Sequence, residues 1–190
     1  KDPLSQPWFD LYADSKGLIP FLFDQHSHRL ETIQRDGLDV LVYQLTEDVT
    51  FSMPSQFAPL DVLLEEGLRL TGIACECGSS SAPHASIVLR WKVEEQATTD
   101  YTVRVALEDV AGRAVTSVDK VLLSSQARPT SEWDAGQEEI DYLILSGLPG
   151  EPLEGYNISI TLVGPRGDEG PSLSKERLVS AALCNQPDTP

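Results

Sequence analysis

Ile87-Val88-Leu89-Arg90-Trp91-Lys92-Val93 carries a large apolar side chain at every odd position and a basic one at 90 and 92. Successive side chains of a strand point to opposite faces, so this stretch buries one face and wets the other. Tyr101-Thr102-Val103-Arg104-Val105-Ala106-Leu107-Glu108 alternates in the same way, as does Tyr156-Asn157-Ile158-Ser159-Ile160-Thr161-Leu162. Half-wet strands are the mark of antiparallel sheets. Trp91 keeps register with Ile87 and Leu89, which makes it a core residue.

Working outward, Asp109-Val110-Ala111-Gly112-Arg113 is a glycine-containing turn, so residues 101–108 and 114–123 are expected to pair as a hairpin. Leu38 to Leu45 is rich in β-formers, and Leu68 to Cys75 forms a further run with Gly72 as a candidate bulge. Ile140–Leu145 and Leu178–Leu183 bring the count to about eight strands spaced by turn residues. No helical pattern separates them, which excludes a parallel βαβ arrangement. The expected fold is mostly β, an antiparallel two-sheet sandwich, immunoglobulin-like or jelly-roll-like, with a short N-terminal helical or irregular segment.

Residues 1–36 differ in character from the rest. They hold Trp8, Phe9, Tyr12, Phe21 and Phe23. Leu18-Ile19-Pro20-Phe21-Leu22-Phe23 reads as a buried strand or a hydrophobic docking segment. Leu30 and Ile33 stand one helical turn apart, and Gly37 offers a stop, so a short helix is expected between Asp24 and Arg35. The domain reading is a docking or juxtamembrane segment over 1–36, a sandwich over 37–184 and a tail over 185–190. The start Lys1-Asp2-Pro3, without Met or an apolar leader, reads as a processed protein or an excised fragment. No apolar run approaches the ~18 residues that cross a bilayer.

Thirty acidic residues stand against fourteen basic ones, a formal net charge of -16. Phosphate backbones repel such a field, which argues against nucleic acid or an anionic membrane face as partner. The acids are spread along the chain without the Asp-x-Asp-x-Asp-Gly spacing of a calcium loop, so they read as solubilising.

Few residues suggest chemistry. Asp24, His26 and His28 alternate, and on an extended strand they would project together as metal ligands, with His84 as a further candidate. On a helix the same positions diverge. Neither Gly78-Ser79-Ser80-Ser81-Ala82 nor the glycine-rich 164–170 stretch has the spacing of a nucleophile elbow or a phosphate loop. Adjacent acids such as Glu138-Glu139 point to opposite faces of a strand, the wrong geometry for a glycosidase pair. Trp133, in a turn, and Trp8 are the aromatics available as a sugar platform. No cofactor is expected.

Of the three cysteines, Cys75 and Cys77 share one predicted strand, are expected to alternate in facing, and are poorly placed to bridge each other. In an oxidising compartment either could join Cys184, closing a loop of more than about 100 residues worth roughly 4–5 kcal/mol. Three reduced thiols are the competing reading.

Leu89-Arg90-Trp91, Thr99-Asp100-Tyr101-Thr102-Val103, Leu107-Glu108-Asp109 with Gly112-Arg113, Arg128-Pro129-Thr130-Ser131-Glu132-Trp133-Asp134-Ala135-Gly136, Asp141-Tyr142 and Pro152-Leu153-Glu154-Gly155-Tyr156 carry a family resemblance. The stretch from about 86 to 164, less than half of the chain, resembles the β-sandwich region at the extracytoplasmic C-terminal end of certain bacterial multi-pass membrane glycosyltransferases of the dolichyl-phosphate-mannose type. It is similar to domains of unknown function. The catalytic carboxylates of that family lie in its membrane part, so no catalytic residue carries over. The resemblance implies a periplasmic or cell-surface location, membrane-anchored in the full-length protein, and an accessory role. The leading expectation is therefore a non-catalytic accessory or interaction module with a protein or glycan partner. The alternatives are a carbohydrate-binding module and a metal-dependent hydrolase built on His26 and His28.

Overall fold

In the computed structural model, residues 14–35, 38–45, 57–64, 67–78, 83–149, 156–164 and 179–180 are described. In chain order they form helix α1 (Leu18–His26) and strands β1 (Ser27–Arg35), β2 (Leu38–Leu45), β3 (Ala58–Leu63), β4 (Leu68–Gly78), β5 (His84–Val93), β6 (Thr102–Glu108), β7 (Ala114–Val121), β8 (Glu138–Ser146), β9 (Asn157–Val163) and β10 (Val179–Ser180). Eight of the strands make two four-stranded antiparallel sheets, ordered β3-β4-β5-β8 and β10-β9-β6-β7. β5 pairs with β8 in one sheet while β6 pairs with β9 in the other. That crossed pairing is the Greek-key order of an immunoglobulin-like sandwich, in which strands adjacent in sequence part to different sheets.

The expected alternation decides what lies between the sheets. Ile87, Leu89, Trp91 and Val93 of β5 meet Val103, Val105 and Leu107 of β6 and Ile158, Ile160 and Leu162 of β9 in one continuous core. Trp91 is wholly buried. Each such side chain removed from water contributes roughly 1.5–3 kcal/mol. The expected bulge is present too: the β4–β5 register shifts between Leu70 and Gly72. The 101–123 hairpin forms as read, its turn tied by Asp109, whose carboxylate accepts the N–H groups of Ala111 (2.8 Å) and Arg113 (3.0 Å).

The N-terminal segment corrects two expectations. Leu18–Phe23 does dock, but as a helix. Asp14 precedes α1 and its two carboxylate oxygens accept the N–H groups of Leu18 and Ile19, each at 2.8 Å. Pro20 falls in the first turn, where its missing N–H has no helical partner to lose. Phe21 is buried against the Tyr142 ring, centroids 5.2 Å apart, in a second apolar cluster with Ala74 and Val88. α1 thus covers the outer face of the β4-β5-β8 region, and β5 is buried on both sides over its first half.

The helix expected between Asp24 and Arg35 gives way to a strand from Ser27 onward. β1 pairs antiparallel with β2, from Ser27 opposite Leu45 to Arg35 opposite Leu38. A bulge between Arg29 and Glu31 breaks the period of two, so Leu30 falls out of phase and is exposed, and the helical spacing of Leu30 and Ile33 is a by-product of that bulge. The expected domain boundary after residue 36 lies inside this hairpin. Of the expected 178–183 strand, Val179–Ser180 is described, paired with β9. The 185–190 tail lies outside the described residues.

Candidate functional site

Asp24 and His26 lie in α1 while His28 lies in β1, so the extended run that would align three ligands does not exist. His84 begins β5, opposite Gly78 of β4 and Ser146 of β8. Among the described residues, no group of three or more His, Cys, Asp or Glu side chains is gathered as a metal centre.

Trp133, read from the sequence as available for a sugar platform, is completely buried. Its indole N–H donates to the carbonyl of Arg128 at 3.0 Å, and its ring belongs to the main core. The surrounding turn explains why. Thr130, also fully buried, donates its hydroxyl to the carbonyl of Thr99 (2.8 Å) and accepts the N–H of Tyr101 (2.9 Å). Gly136, at φ +84°, donates its N–H to the carbonyl of Val93 at 2.7 Å. The turn over residues 129–136 therefore plugs Trp133 into the main core. Trp8 lies outside the described residues.

Cys75 is disulfide-bonded, and Cys77 is a free, half-buried thiol whose pKa burial pushes up. Cys184 lies outside the described residues. Cys75 and Cys77 do not alternate in facing: both pack toward the main core, because residues two apart on a strand share a face.

The arrangement richest in chemistry was not anticipated. On β8 the inward positions are Glu139, Asp141, Leu143 and Leu145, so two carboxylates share the apolar layer with Trp91 and Leu89, their register partners on β5. Asp141 is completely buried and Glu139 nearly so. Two ammonium groups meet them. Lys16, just before α1, lies 3.0 Å from Glu139 Oε2 and 3.5 Å from Asp141 Oδ2, and 5.4 Å from the Trp133 ring centroid. Lys120, on the inward face of β7, lies 3.5 Å from Asp141 Oδ1. It also donates to the carbonyls of Tyr142, at 2.9 Å, and of Lys16.

The quartet is electrically balanced, two positive against two negative. Burial pushes the Asp141 carboxyl up, with Lys16 and Lys120 pulling against it, and pushes the Lys120 ammonium down, with Asp141 pulling against it. Both shifts run toward the neutral forms, so desolvation exceeds the mutual attraction. Glu139 is further held by the N–H of Ser125 (3.1 Å) and by Gln137 Nε2 (2.6 Å). Beside the quartet an open depression of ≈ 450 Å³ is lined by Asp14, Ser15, Leu18, Ser125, Ile140 and Tyr142 among others.

Sequence held one signal of this site. Glu139-x-Asp141-x-Leu143-x-Leu145 is a single-parity row in which acids continue an apolar face. Nothing in the sequence brings Lys16 and Lys120 to it, since they lie more than about 100 positions apart and meet through the fold alone. No family model matches the chain, and no curated protein matches it.

Proposed function

We propose that this chain is a non-catalytic sandwich domain working outside the cytoplasm, an accessory or interaction module of a membrane or envelope protein of glycan metabolism. The disulfide at Cys75 carries the location, because disulfides persist in oxidising compartments and are rare where thiols are kept reduced. The accessory role is supported by the way the buried charges are used. Lys16, Lys120, Glu139 and Asp141 pair with one another, and Lys120 and Glu139 also bind main chain, so these buried charges are engaged in holding the fold. Among the described residues no helix is long and apolar enough to cross a membrane. The link to glycan metabolism rests on the resemblance of residues 86–164. Burial of Trp133 favours an accessory role over sugar recognition, since a platform needs an open ring face.

Alkylating the thiols of cells quenched in acid, then counting labels on the isolated protein, tests the location. Cys75 should be recovered oxidised, and full labelling of Cys75 would defeat the proposal. Passing the purified chain over a glycan array tests the role. No sugar should be retained, and specific retention of one would replace this reading with carbohydrate binding.

A further inference from the structure

We propose that Trp133, Glu139 and Asp141 form a binding site for a primary alkylammonium group, occupied in cis by Lys16 and open to an amine in trans when Lys16 is withdrawn. The ammonium of Lys16 is held from three sides: Glu139 Oε2 at 3.0 Å, Asp141 Oδ2 at 3.5 Å and the Trp133 ring at 5.4 Å. An aromatic face with carboxylates beside it is the chemistry that selects a compact cation.

The receptor half of this pair is rigid. Glu139 is fixed by Ser125 N–H and Gln137, Trp133 by its bond to Arg128, and Asp141 sits inside the sheet. The ligand half is a single side chain that keeps a rim of exposure. Lys16 arrives on a short turn ahead of α1, tied by the hydroxyl of Ser15 to the carbonyl of Ser124 (3.2 Å) and by the bond from Lys120 to the Lys16 carbonyl. Without Lys16, two buried carboxylates face one remaining ammonium, and the depression alongside, lined by Lys16 and Glu139, opens that side to solvent. A net charge of -16 draws cations toward that opening.

The ligand class follows from the donors required. The two carboxylates need N–H donors on a small head, which a primary ammonium supplies. A quaternary ammonium has none, and a planar guanidinium is larger. Two sources share this chemistry, a lysine side chain of a basic protein segment and a small free amine.

The full chain carrying Lys16→Ala, compared with wild type by thermal unfolding, tests the site. Probes are n-propylammonium chloride, Nα-acetyl-lysine methylamide, and sodium and tetramethylammonium chlorides at equal ionic strength. The variant should melt lower than wild type, and either primary amine should raise its Tm by about 3 °C or more while leaving wild type unmoved. Greater potency of the lysine amide assigns the site to a protein side chain; equal potency assigns it to free amines. Equal shifts in wild type and variant, or with tetramethylammonium, overturn the proposal. Should the variant not fold in salt alone, its refolding yield is read with the same probes: recovery with primary amines supports the site, and no recovery overturns it.

Discussion

Lys120 on β7 donates to the carbonyl of Tyr142 on β8 at 2.9 Å, although the two strands belong to different sheets. Thr116, two residues from Val118 on the same inward face, makes the parallel contact, its hydroxyl donating to the carbonyl of Ser146 at 2.8 Å. β7 and β8 each end their sheet, and an unpaired edge offers its carbonyls to any passing strand. Here two side chains from the opposite sheet occupy two of them on β8. Asp141 supplies the counter-charge that lets the Lys120 ammonium sit so deep.

Lys120→Met should therefore be costly, because it removes the cross-sheet bond and leaves Asp141 with one cation fewer. A loss of about 3–5 kcal/mol is expected, the scale of breaking a buried ion pair from one side. Thr116→Val, which removes one hydroxyl at an exposed rim, should lose about 1 kcal/mol. Urea unfolding gives both, as a drop in midpoint at constant slope.

Asp141 makes stability depend on pH with a definite sign. Burial raises its carboxyl pKa in the folded state above the ordinary value. The folded state then holds a proton that the unfolded chain has released, so this contribution is present below the ordinary carboxylate range and is lost as pH rises through the folded pKa. The stability of wild type relative to Asp141→Asn should fall as pH climbs from about 4. Urea midpoints of the two proteins across that range decide it; a gap moving in favour of wild type would mean attraction by the two lysines outweighs burial.

Two glycines with the same backbone twist should respond differently to alanine. Gly67 has φ +77°, and an added Cβ would stand 2.6 Å from the Glu95 nitrogen and 2.7 Å from its carbonyl oxygen. Gly112 has φ +73° with open space around it. Gly112→Ala should cost about 1–2 kcal/mol for the left-handed conformation alone, and Gly67→Ala more, since backbone must also move. Thermal melts of the pair separate strain from collision.

Trp133→Phe keeps an aromatic plug but loses the N–H that reaches Arg128. About 1–3 kcal/mol should go with it, against about 3–5 kcal/mol for Trp133→Ala, which empties the site. Acrylamide should quench the tryptophan emission from Trp91 and Trp133 poorly in the native state, both being wholly buried.

Cys77 should react slowly with a thiol reagent at neutral pH and quickly in denaturant, because burial raises its pKa and disfavours the thiolate. A native rate equal to the denatured one would contradict its position beside the core. Reduction of the Cys75 disulfide should lower the melting temperature without changing that contrast.

Local pattern by itself determined the two-sheet sandwich, the core position of Trp91, the Gly72 bulge and the 101–123 hairpin. Each depends on side chains alternating about a strand or on a turn residue within a few positions, and such relations are written in consecutive letters. Tertiary structure decided the rest. β1 is a strand because β2 supplies its hydrogen bonds, and Trp133 is buried because its turn folds back over the core. Lys16 and Lys120 become partners of Asp141 only when three distant segments meet at one side of the fold. Their charges carry no mark of this along the chain, since pairing is a property of distance in space and of the low dielectric that folding creates around them.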